Sequence, residues 1–392
     1  MKDYFFNYIC PMKLSVIILN YNVRHFLELC VLSVQNAIQN IDAEIIVIDN
    51  HSQDDSCRMM KERFPNVKLI ENSENLGFPK GNNIGVSQAQ GEYICILNPD
   101  TVVAEDTFTK VLAFAKKQKD LGIVGVKLID GTGNFLPESK RGIPTPFVAV
   151  TKITGLYKIF PKLFGEYYAQ HLSEDETGKV AILVGAFMVM KRELYNEIGG
   201  FDENCFMYSD DIDLSFMALQ KGKSNYYFHE TSVIHYKGES TVKDGTYMKR
   251  FREAMNFFYK KHFSISSFLF SVFMEMGIVF FSLVKMLQGK PKPKLEPEKY
   301  ILVSGDEILR EKLENKWQTL VELQDITKSF AKNRNTEIVF DQNHLDFKTI
   351  IQAFETNKNK NFTFKILPES SDFVIGSDSS FDRGQVINIQ DF

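Results

Sequence analysis

The chain is poor in cysteine. Its 392 residues include five, Cys10, Cys30, Cys57, Cys95 and Cys205, an odd number scattered mostly through apolar runs. No spacing among them suits a zinc site or a disulfide framework, which excludes a small stapled scaffold and favours a reducing compartment. A basic excess is also missing. Lys and Arg number 46 against 50 Asp and Glu, a net charge of -4, so nucleic acid is not an expected partner. Internal repeats and low-complexity tracts are absent. Met1–Pro11 is short and aromatic with one Lys and one Asp, unlike a secretory signal. The first apolar run ends in Leu19-Asn-Tyr-Asn-Val23 without the Gly-rich, basic signature that cradles a triphosphate.

What is present is a globular balance, 44% hydrophobic and 24% charged, in a length that suits two domains or one large domain with an appendage. Lys13–Leu19, Glu44–Ile48 and Tyr93–Leu97 read as buried strands and Val67–Glu71 as a further strand. Helical patterns over His25–Asn40, Asp54–Phe64 and Lys80–Gln90 separate them. This alternation predicts a doubly wound parallel sheet, in which ligands bind beyond the carboxyl ends of the strands. From Gly122 the strands shorten, with Gly122–Leu128 and Val180–Lys191 flanking a polar, Pro-rich loop from Asp130 to about Glu176. That section predicts mixed or antiparallel strands that shape one side of the ligand edge. Asn196–Phe206 reads as a loop, Asp211–Lys221 as a helix, Tyr226–His235 as a strand and Thr246–His262 as a helix.

Two acidic features stand out. Cys95-Ile-Leu-Asn-Pro-Asp-Thr101 is an apolar strand ending in the single carboxylate Asp100, and Tyr208-Ser-Asp-Asp-Ile-Asp-Leu214 opens a helix with Asp210, Asp211 and Asp213. Carboxylates so placed suit a hard divalent cation holding a diphosphate, plus a base that activates an alcohol. Two adjacent acids raise one another's pKa, which suits a base at neutral pH, and an Asp in a first helical turn complements the dipole.

Residues 12–262 resemble an inverting family-2 glycosyltransferase of the nucleotide-diphospho-sugar transferase (GT-A) fold, in the branch that includes rhamnosyltransferases of surface-polysaccharide assembly. The resemblance rests on Ser15-Val-Ile-Ile-Leu-Asn-Tyr-Asn22, Val47-Ile-Asp-Asn-His-Ser-Gln-Asp54, Glu74-Asn-Leu-Gly-Phe-Pro-Lys-Gly-Asn-Asn-Ile-Gly85, Leu97-Asn-Pro-Asp100, Gly199-Gly-Phe-Asp-Glu203 and Tyr208–Leu214, in order. It implies that Asp49 accepts the imide N–H of uracil or thymine, with Asn20 and Tyr21 lining the base pocket and Asn50 and Ser52 beside them. As plain sequence, Asp49 and Ser52 also suit a turn or helix cap. Asn75, Gly77, Lys80, Gly81 and Asn82 would meet phosphate at a helix N-terminus, or form a simple helix start with a glycine turn. Asn98 stands where many relatives have an acid, which leaves Asp100 as the ionic ligand for magnesium or manganese. His235 is similar to a histidine that some members bring to the cation, and is otherwise a structural residue at a strand end. Asp211 aligns with the base and Asp210 with its neighbour, and Gly199–Asp202 shapes the acceptor floor. His51, His171 and His229 take no assigned role.

The expected reaction is sugar transfer from a UDP- or dTDP-sugar to a hydroxyl of a growing cell-surface glycan, lipid-linked and made in the cytoplasm. A catalytically degenerate glycan-binding or scaffolding subunit, favoured by Asn98, and a nucleotidyltransferase are the alternatives. Phe263–Val284 is almost wholly apolar, with Glu275 its only charge and Lys260, Lys261 and His262 in front. It is long enough for about 30 Å of hydrocarbon at about 1.5 Å per residue. Glu275 is costly for a true span, so residues 263–287 are expected to lie on the cytoplasmic face of a membrane. A charged Pro/Lys linker at 288–298 then leads into a small three-layer α/β domain, 299–392, to which no chemistry is assigned.

Overall fold

Leu14-Ser-Val-Ile-Ile-Leu-Asn20 does not alternate, so as a strand it needs cover on both faces. In the computed structural model, which describes residues 12–145, 165–205, 207–237, 245–263, 296–328, 330, 335–378 and 384–389, it forms β1 (Leu14–Asn20) with every residue buried. β1 lies between β2 (Ala43–Asp49) and β4 (Tyr93–Leu97), parallel to both, and β3 (Lys68–Glu71) continues parallel outside β2. The connecting helices are α1 (Arg24–Ile38), α2 (Ser56–Arg63) and α3 (Gly77–Ser87).

The other half of the sheet is mixed, as the change of pattern after Gly122 predicts. β8 (Phe187–Lys191) runs antiparallel to β4 and to β6 (Leu121–Ile129), and β6 pairs parallel with β9 (Ser224–His235). β5 (Thr101–Val102) and β7 (Gly178–Val180) are antiparallel to β9. The strand order is β3-β2-β1-β4-β8-β6-β9-β5, with β7 also on β9. Helices α4 (Thr107–Lys117), α5 (Arg192–Glu197), α6 (Asp210–Gln220) and α7 (Gly245–His262) complete this unit. Part of the expected 196–206 loop is thus helical, ending in a turn where Gly199 (φ 87) and Gly200 (φ 68) adopt left-handed backbone.

The second sheet has the order β11-β10-β12-β13-β14-β15, built from β10 (Lys299–Val303), β11 (Val321–Leu323), β12 (Thr336–Asp341), β13 (Phe362–Leu367), β14 (Phe373–Ser377) and β15 (Gln385–Asn388). Its first four strands are parallel and carry α8 (Glu307–Trp317) and α9 (Phe347–Asn357). β14 and β15 add an antiparallel edge that the sequence pattern did not indicate. The helix expected between Leu323 and Glu337 is not found among the described residues there.

The two sheets share a core. Val23, Phe26, Leu29, Val102, Ile129, Ile234 and Tyr236 of the first unit pack in one buried cluster with Ile301, Phe340, Phe347, Phe354, Phe364 and Phe373 of the second. Polar contacts frame it. Glu105 accepts from the backbone N–H groups of Phe347 (2.7 Å) and Lys348 (2.8 Å), capping α9 from across the boundary. Lys127 pairs with Glu355 at 3.1 Å, and Arg63 donates to Ser371 Oγ at 2.8 Å while pairing with buried Glu28. Residues 264–295, which hold nearly all of the apolar segment and most of the linker, lie outside the described residues.

Candidate active site

β1 and β2 end side by side at Asn20 and Asp49. The two buried side chains join, Asn20 Nδ2 donating to Asp49 Oδ1 at 2.8 Å and to Ser52 Oγ at 3.0 Å. Asp49 Oδ2 accepts from the Ser52 N–H at 2.8 Å. This is the turn geometry that the residue types allow on their own. Each carboxylate oxygen has a second lone pair, so the turn does not exclude an external donor. Tyr21 is 45% exposed beside this pair, a large ring left open at the strand ends.

Asn50 ties the next loop in. Its Nδ2 donates to Asn75 Oδ1 at 2.9 Å and to the Gly77 carbonyl at 3.3 Å, and its Oδ1 accepts from Asn72 and from the Leu76 N–H. α3 begins at Gly77 (φ 80), three residues before the expected Lys80, so Lys80, Gly81 and Asn82 lie inside its first turns. Lys80 is exposed and Asn82 fully buried. Asn82 donates to the Phe78 carbonyl, and its buried Oδ1 has no partner among the described residues. The absent side chain of Gly81 faces the sheet, since a Cβ there would come within 2.4 Å of Leu19. That glycine lets α3 lie close on β1.

At the end of β4, Asn98 leads through Pro99 to Asp100, and the β5–β9 pairing sets Thr101 opposite His235. His235 Nε2 lies 3.4 Å from Asp100 Oδ1 and 3.4 Å from Asn98 Nδ2. Asp100 and His235 are both buried, and His235 Nδ1 makes no hydrogen bond among the described residues. No three His, Cys, Asp or Glu side chains gather as a metal-binding group among the described residues. One carboxylate, one imidazole and one amide fit a cation that takes its remaining ligands from substrate phosphates, as magnesium commonly does. A separation of 3.4 Å is close to that of adjacent ligands on one ion, roughly 3 Å for bonds of about 2.1 Å.

The acid pair reaches the same edge through the start of β8. The Asn98 N–H donates to the Ala186 carbonyl at 3.0 Å, and the neighbouring Gly185 N–H donates to Asp211 Oδ2 at 3.1 Å. A Cβ on Gly185 would sit 3.4 Å from the Asp211 Cβ and 3.6 Å from the Phe78 ring, so this glycine leaves room between α3 and α6. Asp210, Asp211 and Asp213 are all buried in the first turn of α6. Burial and the charge of Asp211 push Asp210 up to about 7.

Asp213 has a job beyond the helix dipole. Its carboxylate accepts from His262 Nε2 at 2.5 Å and Lys261 Nζ at 2.8 Å, clamping the end of α7 to the acidic helix. Arg141 was not foreseen. Its guanidinium donates to Asp211 Oδ2 at 2.5 Å and to the Leu183 carbonyl at 3.0 Å. It stands 70 residues from its partner in a loop read only as shaping one side of the ligand edge, and no spacing rule joins the two. His229 also gains a contact, Nδ1 lying 2.8 Å from Thr177 Oγ1, at a distance in sequence from the acid pair.

The chain is similar to known proteins over much of its length. The family model "Glycosyl transferase family 2" matches residues 15–199. An N-acetylglucosaminyl-diphospho-decaprenol L-rhamnosyltransferase of Mycobacterium tuberculosis is 26% identical over 243 residues, 59% of this chain and 78% of that protein. A low-salt glycan biosynthesis hexosyltransferase of Haloferax volcanii is 23% identical over 212 residues, 53% of this chain and 62% of that protein. Among solved structures, a mannosyltransferase from Pyrobaculum calidifontis in complex with GDP-Man and Mn2+ matches with a TM-score of 0.45 at 16% identity, covering 72% of this chain and 77% of that one. Residues 15–199 thus match a family-2 glycosyltransferase domain, the chain is similar over 59% of its length to a rhamnosyltransferase, and it is a glycosyltransferase.

Proposed function

We propose that the chain transfers a sugar, with inversion, from a UDP- or dTDP-linked donor to a hydroxyl of a growing cell-surface glycan. The observation that carries this reading is that Asp49 closes β2 and Asp100 follows β4 on the same carboxyl edge of one sheet, with Asp211 joined to the β4 end through the Ala186–Asn98 and Gly185–Asp211 hydrogen bonds. Asp49, with Asn20, Tyr21, Asn50 and Ser52 around it, accepts the imide N–H of the base. The start of α3, with Asn75, Gly77, Lys80, Gly81 and Asn82, would face the phosphates, where the positive end of the helix dipole favours negative charge.

Asp100 and His235, beside Asn98, would hold a magnesium or manganese ion. When bound, such an ion neutralises the charge that builds on the departing diphosphate. Asp211 takes the proton as the acceptor O–H bond breaks. The acceptor oxygen bonds to the anomeric carbon from the face opposite the diphosphate. The carbon–oxygen bond to the diphosphate breaks and its electron pair leaves with the nucleotide.

A lipid-linked acceptor is supported by the diphospho-decaprenol substrate in the name of the mycobacterial relative. Attachment to the cytoplasmic face of a membrane is supported by the apolar run Phe263–Val284. No helix among the described residues is long and apolar enough to cross a membrane.

The test is nucleotide release from a panel of UDP-, dTDP- and GDP-sugars with manganese, comparing wild type with Asp211→Asn and Asp100→Ala. Metal-dependent release from one uridine or thymidine donor is expected, falling at least a hundredfold in Asp211→Asn. Donor binding without turnover in the wild type, undisturbed by either substitution, would replace the enzyme reading with a glycan-binding subunit.

A further inference from the structure

Arg141 stands where no general rule of the fold demands an arginine. It follows the short 3-10 turn Pro137–Ser139, and its backbone pairs with Ile182 through mutual N–H to carbonyl bonds of 2.9 Å. The loop start is therefore pinned to the segment that runs on to Gly185. Its side chain is 12% exposed, as is that of Asp211. The guanidinium and the Gly185 N–H both donate to Oδ2 of Asp211. Among the described residues no donor reaches Oδ1.

We propose that Arg141 is a positioning residue for the transfer. It clamps one oxygen of Asp211 against the Gly185 loop, so that the other oxygen is presented to the acceptor hydroxyl. The proposal rests on the reading of Asp211 as the base. A carboxylate held through one oxygen has lost the rotation that would let either oxygen drift from the acceptor, and proton transfer depends steeply on that geometry.

The charge has a second effect. Asp210 lies next to Asp211, and Arg141 is one of the groups that oppose its upward shift. Among the described residues, the charged and titratable groups around the pair are these. Tyr167 and Glu138 face the guanidinium, Cys205 faces Asp210, and Lys261 and His262 are occupied by Asp213. Removing Arg141 therefore leaves two adjacent buried carboxylates without their nearest cation, and the pair holds a proton to higher pH.

The experiment is the pH profile of kcat/KM for Arg141→Met and Arg141→Lys with the donor that the panel selects. In Arg141→Met the acid limb should move up by about one pH unit, and kcat at pH 7 should fall about tenfold or more. Lysine keeps the charge and loses the planar fork, so Arg141→Lys should retain the wild-type limb while kcat falls. Calorimetric binding of UDP reports whether each variant keeps its donor site. If Arg141→Met does not fold, the lysine variant decides alone: a lowered kcat with an unmoved limb supports the proposal, and a wild-type kcat overturns it. A folded Arg141→Met with wild-type limb and kcat also overturns it. Wild-type turnover in Asp211→Asn would instead remove the base assignment itself.

Discussion

At the scale of single residues, the acid pair shows how position separates two identical side chains. Asp211 is fixed by a cation and a backbone N–H, whereas Asp210 has no such ion pair among the described residues and is pushed up to about 7 by burial and its neighbour. Its folded-state value lies above the unfolded one, so the protonated form is the one that the fold prefers. The stability that Asp210 contributes is complete below the ordinary carboxylate range and is lost as pH rises through about 7. Each pH unit of elevation is worth about 1.4 kcal/mol. Asp210→Asn removes the ionisable group, so its melting temperature should drop less than that of wild type between pH 5 and pH 8. Parallel losses in thermal scans at the two pH values would show that Asp210 is not the titrating group. The same substitution should move the acid limb of kcat/KM downward, opposite to the effect of removing Arg141.

At the scale of elements, helix ends are completed by groups distant in sequence. α9 has a local cap, Asp346 accepting from the Thr349 N–H at 2.7 Å. Its first two N–H groups instead go to Glu105, which precedes α4 of the other sheet. A carboxylate on free N–H groups at a helix N-terminus satisfies donors that the helix cannot and complements its dipole. Glu105→Ala should cost about 1–2 kcal/mol, read as a lowered midpoint in urea unfolding with an unchanged slope. A midpoint within error of wild type would mean that water replaces the carboxylate at no cost.

At the scale of the whole molecule, the two sheets are not independent. Phe26, Leu29, Ile129, Ile234 and Tyr236 are buried in a cluster shared with the second sheet, and the Phe26 and Tyr236 rings meet within it at a tilt of 55° with centroids 5.4 Å apart. A chain ending at residue 298 would expose this face, an apolar patch of the kind that drives association. It should be aggregated or markedly less stable than the full chain, as size-exclusion chromatography and thermal unfolding would show. A monomeric truncation with the full melting temperature would mean that the shared cluster adds little. His235 and Tyr236 are sequence neighbours, one in the proposed cation site and the other in this cluster, so the second sheet packs directly behind one wall of the site.

Local sequence determined much of this protein. Continuous apolar runs such as Leu14–Leu19 and Tyr93–Leu97 have one stable fate, a strand covered on both faces, and parallel strands put the polar residues that follow them on one edge. That logic reached Asn20, Asp49, Asn98 and Asp100, because each sits directly after or at the end of such a run. The tertiary structure alone decided the partners. Arg141 meets Asp211, Glu105 meets α9 and Asp213 meets His262 through contacts between segments that no periodicity connects. It also set Gly81 against Leu19, so close that a Cβ there would come within 2.4 Å of that side chain. Short-range pattern reports which face of an element must be buried. What that face meets depends on how the elements pack, and there the charges of this site find one another.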